Sequence, residues 1–316
     1  MIATVTQKGS FVGLQLPERT GKLMPRVPVL VGLFFVFAAL AGCSSESQGE
    51  FERLAMPDPA TVEGESILSL WQGAWIAALV TGVVVWGLIF FVVWHFRRKS
   101  DDEIPIQTRY NLPLEIFYTI FPIVMVIVFF SQTIRVQNIV LDDSVPPDNV
   151  IEVVGQQWTW TFNHGTGEPD LDAISGDGEF AYDQYAYEVG TAADIPTLVL
   201  PVDETTRFNL HTPDVIHDFG VPGFVMKMDV MPGRVNHYQV TPDTEGTYKG
   251  KCYELCGVSH SRMLFNVEVV SRAEYDAYLA DLAATGNVSD APILGGQYAN
   301  TQIGLEGEAG FGEEDE

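Results

Sequence analysis

Cys252-Tyr253-Glu254-Leu255-Cys256-Gly257-Val258-Ser259-His260-Ser261-Arg262-Met263 brings two thiols, an imidazole and a thioether into one short stretch. A second imidazole, His217, stands upstream in Asp214-Val215-Ile216-His217. Soft sulfur ligands mixed with imidazole suit copper. A blue single-copper site uses one Cys, two His and a weakly bound Met. This chain offers that set with one extra Cys, so two sulfurs can bridge two metal ions. A disulfide between the two cysteines would give no role to the neighbouring His and Met. Zinc accepts Cys and His but takes a thioether poorly. Gly257 argues against a continuous helix, so the ligands fall on a loop. Strand candidates flank that loop, Thr247–Gly250 before it and Met263–Val270 after it. A loop held between strands fixes ligand positions. Geometry shared by both oxidation states keeps rearrangement small as each electron passes.

Outward from the loop, Ile151-Glu152-Val153-Val154 and Trp158-Thr159-Trp160-Thr161-Phe162 alternate as half-buried strands do. Thr197–Pro201, Thr206–Leu210 and Arg234–Val240 read the same way. Turn residues separate them, among them Pro213-Asp214, Pro222-Gly223 and Pro232-Gly233. Several short strands without intervening helices make residues 142–272 an all-β sandwich or barrel. Residues 165–194, rich in Gly, Asp and Tyr, read as a surface insertion. Residues 273–316 read as a short helix followed by a disordered acidic tail ending Glu313-Glu314-Asp315-Glu316.

Upstream of this domain the chain is apolar. Of 316 residues, 47% are hydrophobic, yet the net charge is -25. The two facts are compatible when apolar residues concentrate in membrane spans and acidic ones in a water-exposed domain. So acidic a surface repels nucleic acid and attracts cationic partners. Residues 67–96 and 112–136 are each long and apolar enough to cross a bilayer. Trp71 and Trp94 stand near the ends of the first run, where indole rings favour the interface. The connecting loop, 97–111, carries Arg97, Arg98, Lys99 and Arg109, which puts it on the cytoplasmic side. Glu115 is a carboxylate within the second run, and such a group is a functional candidate by position alone.

The N-terminal region gives the same topology. Lys22 and Arg26 precede the apolar run Val27–Leu40, as in a secretory signal. Leu40-Ala41-Gly42-Cys43 resembles a bacterial lipoprotein processing site. Residues 1–42 are then a signal peptide, Cys43 carries lipid in the outer leaflet, and residues 43–66 form a polar linker.

With these features together, the Cys-x-Glu-x-Cys-x3-His-x2-Met motif resembles the binuclear CuA domain of the cytochrome c oxidase subunit II family. The similarity covers both spans and the β-domain, roughly residues 65–270. It implies an α+β membrane protein: a two-helix transmembrane hairpin followed by a cupredoxin-like all-β sandwich in a bacterial cell membrane. By that resemblance Cys252 and Cys256 bridge two Cu ions. His217 and Met263 complete one copper, and His260 with the Glu254 carbonyl completes the other. The Glu254 side chain and Asp229 lie at a Mg or Mn site shared with subunit I. Trp158 receives electrons from cytochrome c or from a cytochrome c domain of a bc complex. Glu115 stands at the mouth of a proton path into subunit I. His164, His211 and His237 have no counterpart as ligands and are expected at the surface or around the site. Asp218, where the family carries a smaller residue, is expected to shift the site or orient His217. A quinol oxidase subunit would lack the copper ligands, and a copper-binding lipoprotein would need neither Trp158 nor Glu115.

Overall fold

A computed structural model describes residues 45–100, 104–175, 180–191 and 194–295. The signal segment, Cys43 and residues 296–316 lie outside the described residues. Helix α1 spans Ser45–Glu52, α2 Val62–His95 and α3 Leu112–Val140. Thr61 starts α2: its hydroxyl accepts from the Gly64 N–H at 3.1 Å. Glu63 and Glu65 in the first turn suit the positive end of the helix dipole. Both α2 and α3 are apolar all round and bury almost nothing within the chain: Val83, Phe90 and Phe130 are among the exposed side chains. That combination requires lipid or partner helices around them.

The helix begins at Val62, five residues before the expected span, because the segment ahead of it is no free linker. The Ala60 N–H donates to Gly223 O at 2.7 Å, and the Asp243 N–H returns to Ala60 O at 3.1 Å. Val62 N–H donates to Thr241 O, and Thr241 N–H donates to the Glu63 carboxylate at 3.0 Å. Ala60 and Thr61 are buried. The membrane helix is thereby tied to the β-domain at its first turn.

Strands β1 (Asn149–Gln156), β2 (Thr159–Gly165), β3 (Tyr185–Val189), β5 (Thr206–His211), β8 (Asn236–Val240) and β11 (Val288–Ser289) form one sheet, in the order β11-β3-β2-β1-β5-β8. The other sheet runs β4-β10-β9-β6-β7, with β4 Thr197–Pro201, β6 His217–Val221, β7 Met226–Val230, β9 Gly246–Cys252 and β10 Leu264–Val270. Side chains from the two inner faces interlock. Phe219 and Phe265 stack at 4.9 Å between ring centroids, and Trp160 meets both edge-on. Aromatic pairs in such geometries add to the hydrophobic gain of burial. Helix α5 (Arg272–Ala284) starts with a capping box between Ser271 and Glu274.

Residues 165–194 are more than a surface insertion. They contain α4 (Leu171–Ser175) and β3, which joins the sheet beside β2. The Arg207 guanidinium donates to Ile174 O, so α4 covers the back of β1 and β5. This is why every residue of β1 is buried, on both faces. The covered face carries polar groups that satisfy one another: His211 meets Glu152 at 2.6 Å, and the Asn209 amide donates to the same carboxylate at 2.9 Å.

Two expectations are corrected. His164 is fully buried on β2, where its Nδ1 meets the Tyr275 hydroxyl at 3.0 Å. It is remote from surface and ligand loop alike, because α5 closes over it. Trp158, which the alternating pattern Trp158–Phe162 placed in a strand on the same face as Trp160, lies outside β2. Trp160 is core, whereas Trp158 precedes β2 in the turn and stays half-buried.

Candidate metal centre

The sandwich ends in two loops that meet. One precedes β6 and delivers His217 as the first strand residue. The other joins β9 to β10 and contains Glu254, Cys256 and His260, with Cys252 closing β9 and Met263 just before β10. The Cys252 N–H donates to Met263 O at 3.0 Å, which shuts the base of the loop. A single 3-10 turn, His260–Arg262, brings the chain back. Gly257 has φ +130, a conformation that side-chain-bearing residues rarely adopt. A Cβ there would also lie 2.8 Å from Trp158 Cζ2.

The sulfurs of Cys252 and Cys256 stand 3.9 Å apart. His217 Nδ1 is 3.9 Å from the first, and the Glu254 carbonyl is 3.2 Å from it. His260 Nδ1 lies 3.5 Å from the second sulfur, and Met263 Sδ lies 3.8 Å from it. No disulfide joins the two thiols. Ligand atoms of His217, Cys252 and Cys256 all fall within 4.8 Å of one another, and all three residues are buried. A metal–sulfur bond of about 2.3 Å lets an ion touch both sulfurs at this spacing. The donor set, sulfur and imidazole with one thioether and one carbonyl, fits copper.

The electrostatics are uneven. Burial pushes the Cys256 thiol up to about 12, reinforced by the neighbouring Cys252 sulfur. Burial also raises Cys252, but its contacts with His217 and with the backbone at Asp218 and Glu254 outweigh it and hold the thiol below the ordinary range. The Asp214 carboxyl is raised by burial, then brought down to about 2 by His217 and the N–H groups of Gln157 and Val215.

Asp214 was not legible as a site residue. Its Oδ1 lies 2.9 Å from His217 Nε2, which fixes the proton on that nitrogen and turns Nδ1 toward the sulfurs. Asp218, expected in that role, faces the other way. Successive residues of β6 point to opposite faces, and Asp218 pairs with Lys227 at 2.8 Å. Gln157 was missed too: its side-chain amide donates to Cys256 O at 2.7 Å. The Trp158 indole N–H reaches the same carbonyl at 3.2 Å.

Other expected residues are dispersed. Glu254 and Asp229 are exposed, with Asp229 opposite Asp218 in the β6–β7 ladder. Glu115 lies in the first turn of α3, where it accepts from the Asn111 N–H at 2.9 Å. His211 and His237 are engaged by Glu152 and Asp143 and lie outside the cluster.

Comparison with known proteins matches residues 149–270 to the family described as cytochrome c oxidase subunit II, periplasmic domain. Residues 49–134 match the transmembrane domain of the same family. The chain is 47% identical to a probable cytochrome c oxidase subunit 2 of Streptomyces avermitilis, over 81% of this chain and 86% of that one. The chain belongs to the cytochrome c oxidase subunit II family. It is therefore a subunit of a haem-copper oxidase, a membrane protein with a periplasmic domain. Cytochrome c oxidase subunit 2 of Mycobacterium bovis is 35% identical over 76% of this chain and 77% of that one. Among solved structures, the periplasmic domain of oxidase subunit II from Bradyrhizobium japonicum is 28% identical, with a TM-score of 0.35, covering 44% of this chain and 96% of that one. The fold expected for this subunit II, a helical hairpin followed by a β-sandwich, is the one found.

Proposed function

We propose that this subunit takes electrons one at a time from a cytochrome c, or from a cytochrome c domain of a bc complex, at a binuclear CuA centre. It passes them to haem in subunit I, where oxygen is reduced with proton translocation. The observation that carries this reading is the convergence of both sulfurs, two imidazoles, the thioether and the Glu254 carbonyl at one end of the sandwich.

Cys252 and Cys256 would hold both ions through their sulfurs, with His217 and Met263 serving one copper and His260 and the Glu254 carbonyl the other. When bound, the copper pair supplies a one-electron redox centre. The protein's own part is positioning. Asp214 keeps Nδ1 of His217 free to donate its lone pair. Burial of His217 and Met263 excludes water. Trp158 offers a flat aromatic contact beside Cys256. Leu255 and Val258, 77% and 89% exposed, give the loop an apolar tip for a partner to cover. Two exposed acids, Glu254 and Asp229, are available to a Mg or Mn ion at the subunit I boundary. Glu115 stands at the cytoplasmic entrance of a proton path, and Cys43 carries lipid at the outer membrane face.

Electron paramagnetic resonance of the copper-loaded oxidase tests the reading. The expected signal is one electron shared equally by two coppers, and a blue single-copper spectrum would sink it. Intact mass of the mature chain tests Cys43 separately: an uncleaved or unacylated N-terminus rejects the anchor.

A further inference from the structure

One residue touches both halves of the metal centre without supplying a ligand. The backbone N–H of Gln157 donates to Asp214 Oδ2 at 2.7 Å. Asp214 Oδ1 holds His217 Nε2 at 2.9 Å. From the same residue, the side-chain amide donates to Cys256 O at 2.7 Å, beside the Trp158 indole N–H at 3.2 Å. Gln157 therefore lies in three contacts at once: the loop of His217, the loop of Cys256, and the turn that carries Trp158. Gly257 fits around it closely, since a Cβ there would come within 3.1 Å of Gln157 Nε2.

We propose that Gln157 is a positioning residue that locks the Trp158 ring against the Cys256 carbonyl and so sets the electron path from donor to copper. This rests on the electron-entry reading above. The Cys256 carbonyl has two lone pairs, one for each N–H, and two donors from adjacent residues define the ring's placement better than one. Without the amide, Trp158 keeps a single, longer hydrogen bond and a looser geometry. Transfer through the Trp158–Cys256 contact should respond to such small displacements, while docking on the exposed tip at Leu255 and Val258 should not.

The test uses the intact oxidase with Gln157→Met and Gln157→Glu. Both keep the backbone N–H to Asp214, so the His217 loop stays braced. Methionine removes the donor, and glutamate turns an acceptor toward the carbonyl. The first-order transfer rate inside the complex with a cationic c-type cytochrome should fall severalfold for Gln157→Met, because the Trp158–Cys256 contact loosens once one of its two hydrogen bonds is lost. Gln157→Glu should fall further. The dissociation constant for the cytochrome, the copper content and the rate with a small-molecule reductant should all hold. Unchanged transfer in Gln157→Met overturns the proposal. So does a loss matched by missing copper or by equal slowing with the small reductant, which would make Gln157 purely structural. Absence of the two-copper signal in the unmodified oxidase is a different result: it removes the functional reading, and the electron path with it.

Discussion

His217 and His164 are both completely buried, each on a strand of the same sandwich, yet they are opposite kinds of histidine. Burial alone lowers the basicity of both. At His217 the Asp214 carboxylate and the Cys252 sulfur outweigh burial and raise the imidazole above its ordinary range. At His164 the neighbours are the Tyr275 hydroxyl and aromatic rings, nothing opposes desolvation, and the pKa is pushed down to about 3. The Nε2 of His164 has no hydrogen-bond partner among the described residues. Depth therefore says little about which histidine binds a metal. What distinguishes them is a carboxylate on one nitrogen and sulfur in front of the other.

The contrast is broken most severely at the sulfurs. Cys252→Ser or Cys256→Ser should abolish the two-copper resonance and lower cytochrome c oxidation by more than about a hundredfold, exceeding the loss of any supporting contact. Persistence of either property in the serine variants would contradict the bridging role. Asp214→Asn should weaken copper binding by about ten- to a hundredfold in a competition titration with a chelator. Asp218→Asn, one residue beyond the ligand, should leave that titration nearly unchanged, because its partner is Lys227. Equal effects from the two substitutions would erase the distinction drawn here. Gly257→Ala imposes a strained backbone and a clash with Trp158, and should cost about 1–3 kcal/mol in thermal unfolding.

The last effect belongs to His164 and appears only on acidification. Its folded pKa lies below its unfolded value of 6.5, so only the unfolded chain takes up the proton between these limits. Its contribution is present above pH 6.5 and is lost as pH falls, by at most about 1.4 kcal/mol per pH unit. Thermal midpoints against pH should show this slope, and His164→Phe should flatten it. An unaltered slope in that variant would assign the acid sensitivity elsewhere.

Much of this was readable from the residues. Two long, nearly continuous apolar runs favoured membrane spans for α2 and α3 over a soluble hairpin, and spaced turn residues marked the strands of the domain. The loop Cys252–Met263 stood out because it crowds Cys, His and Met together, and the structure draws those side chains to one end of the sandwich. Supporting residues were harder to see. Asp214 looked like an ordinary turn acid in Pro213-Asp214, and its hydrogen bond to His217 depends on how the loop closes. Gln157 and Cys256 are 99 positions apart, so nothing local connects them. The tie at Ala60–Glu63 was hidden for the same reason: its partners, Gly223 and Thr241, lie more than 160 positions further along the chain. His164 was misjudged because a polar residue near a strand end suggests solvent, and the covering helix α5 arrives more than a hundred residues later.

That tie has a mechanical outcome. A domain hung from a membrane helix by a loose tether would swing, and the gap an electron must cross would vary from moment to moment. Here the backbone on both sides of Thr61 is stitched to the strands' outer turns before the helix enters the lipid. Tilting the helix therefore turns the whole head with it, like a handle brazed to its blade.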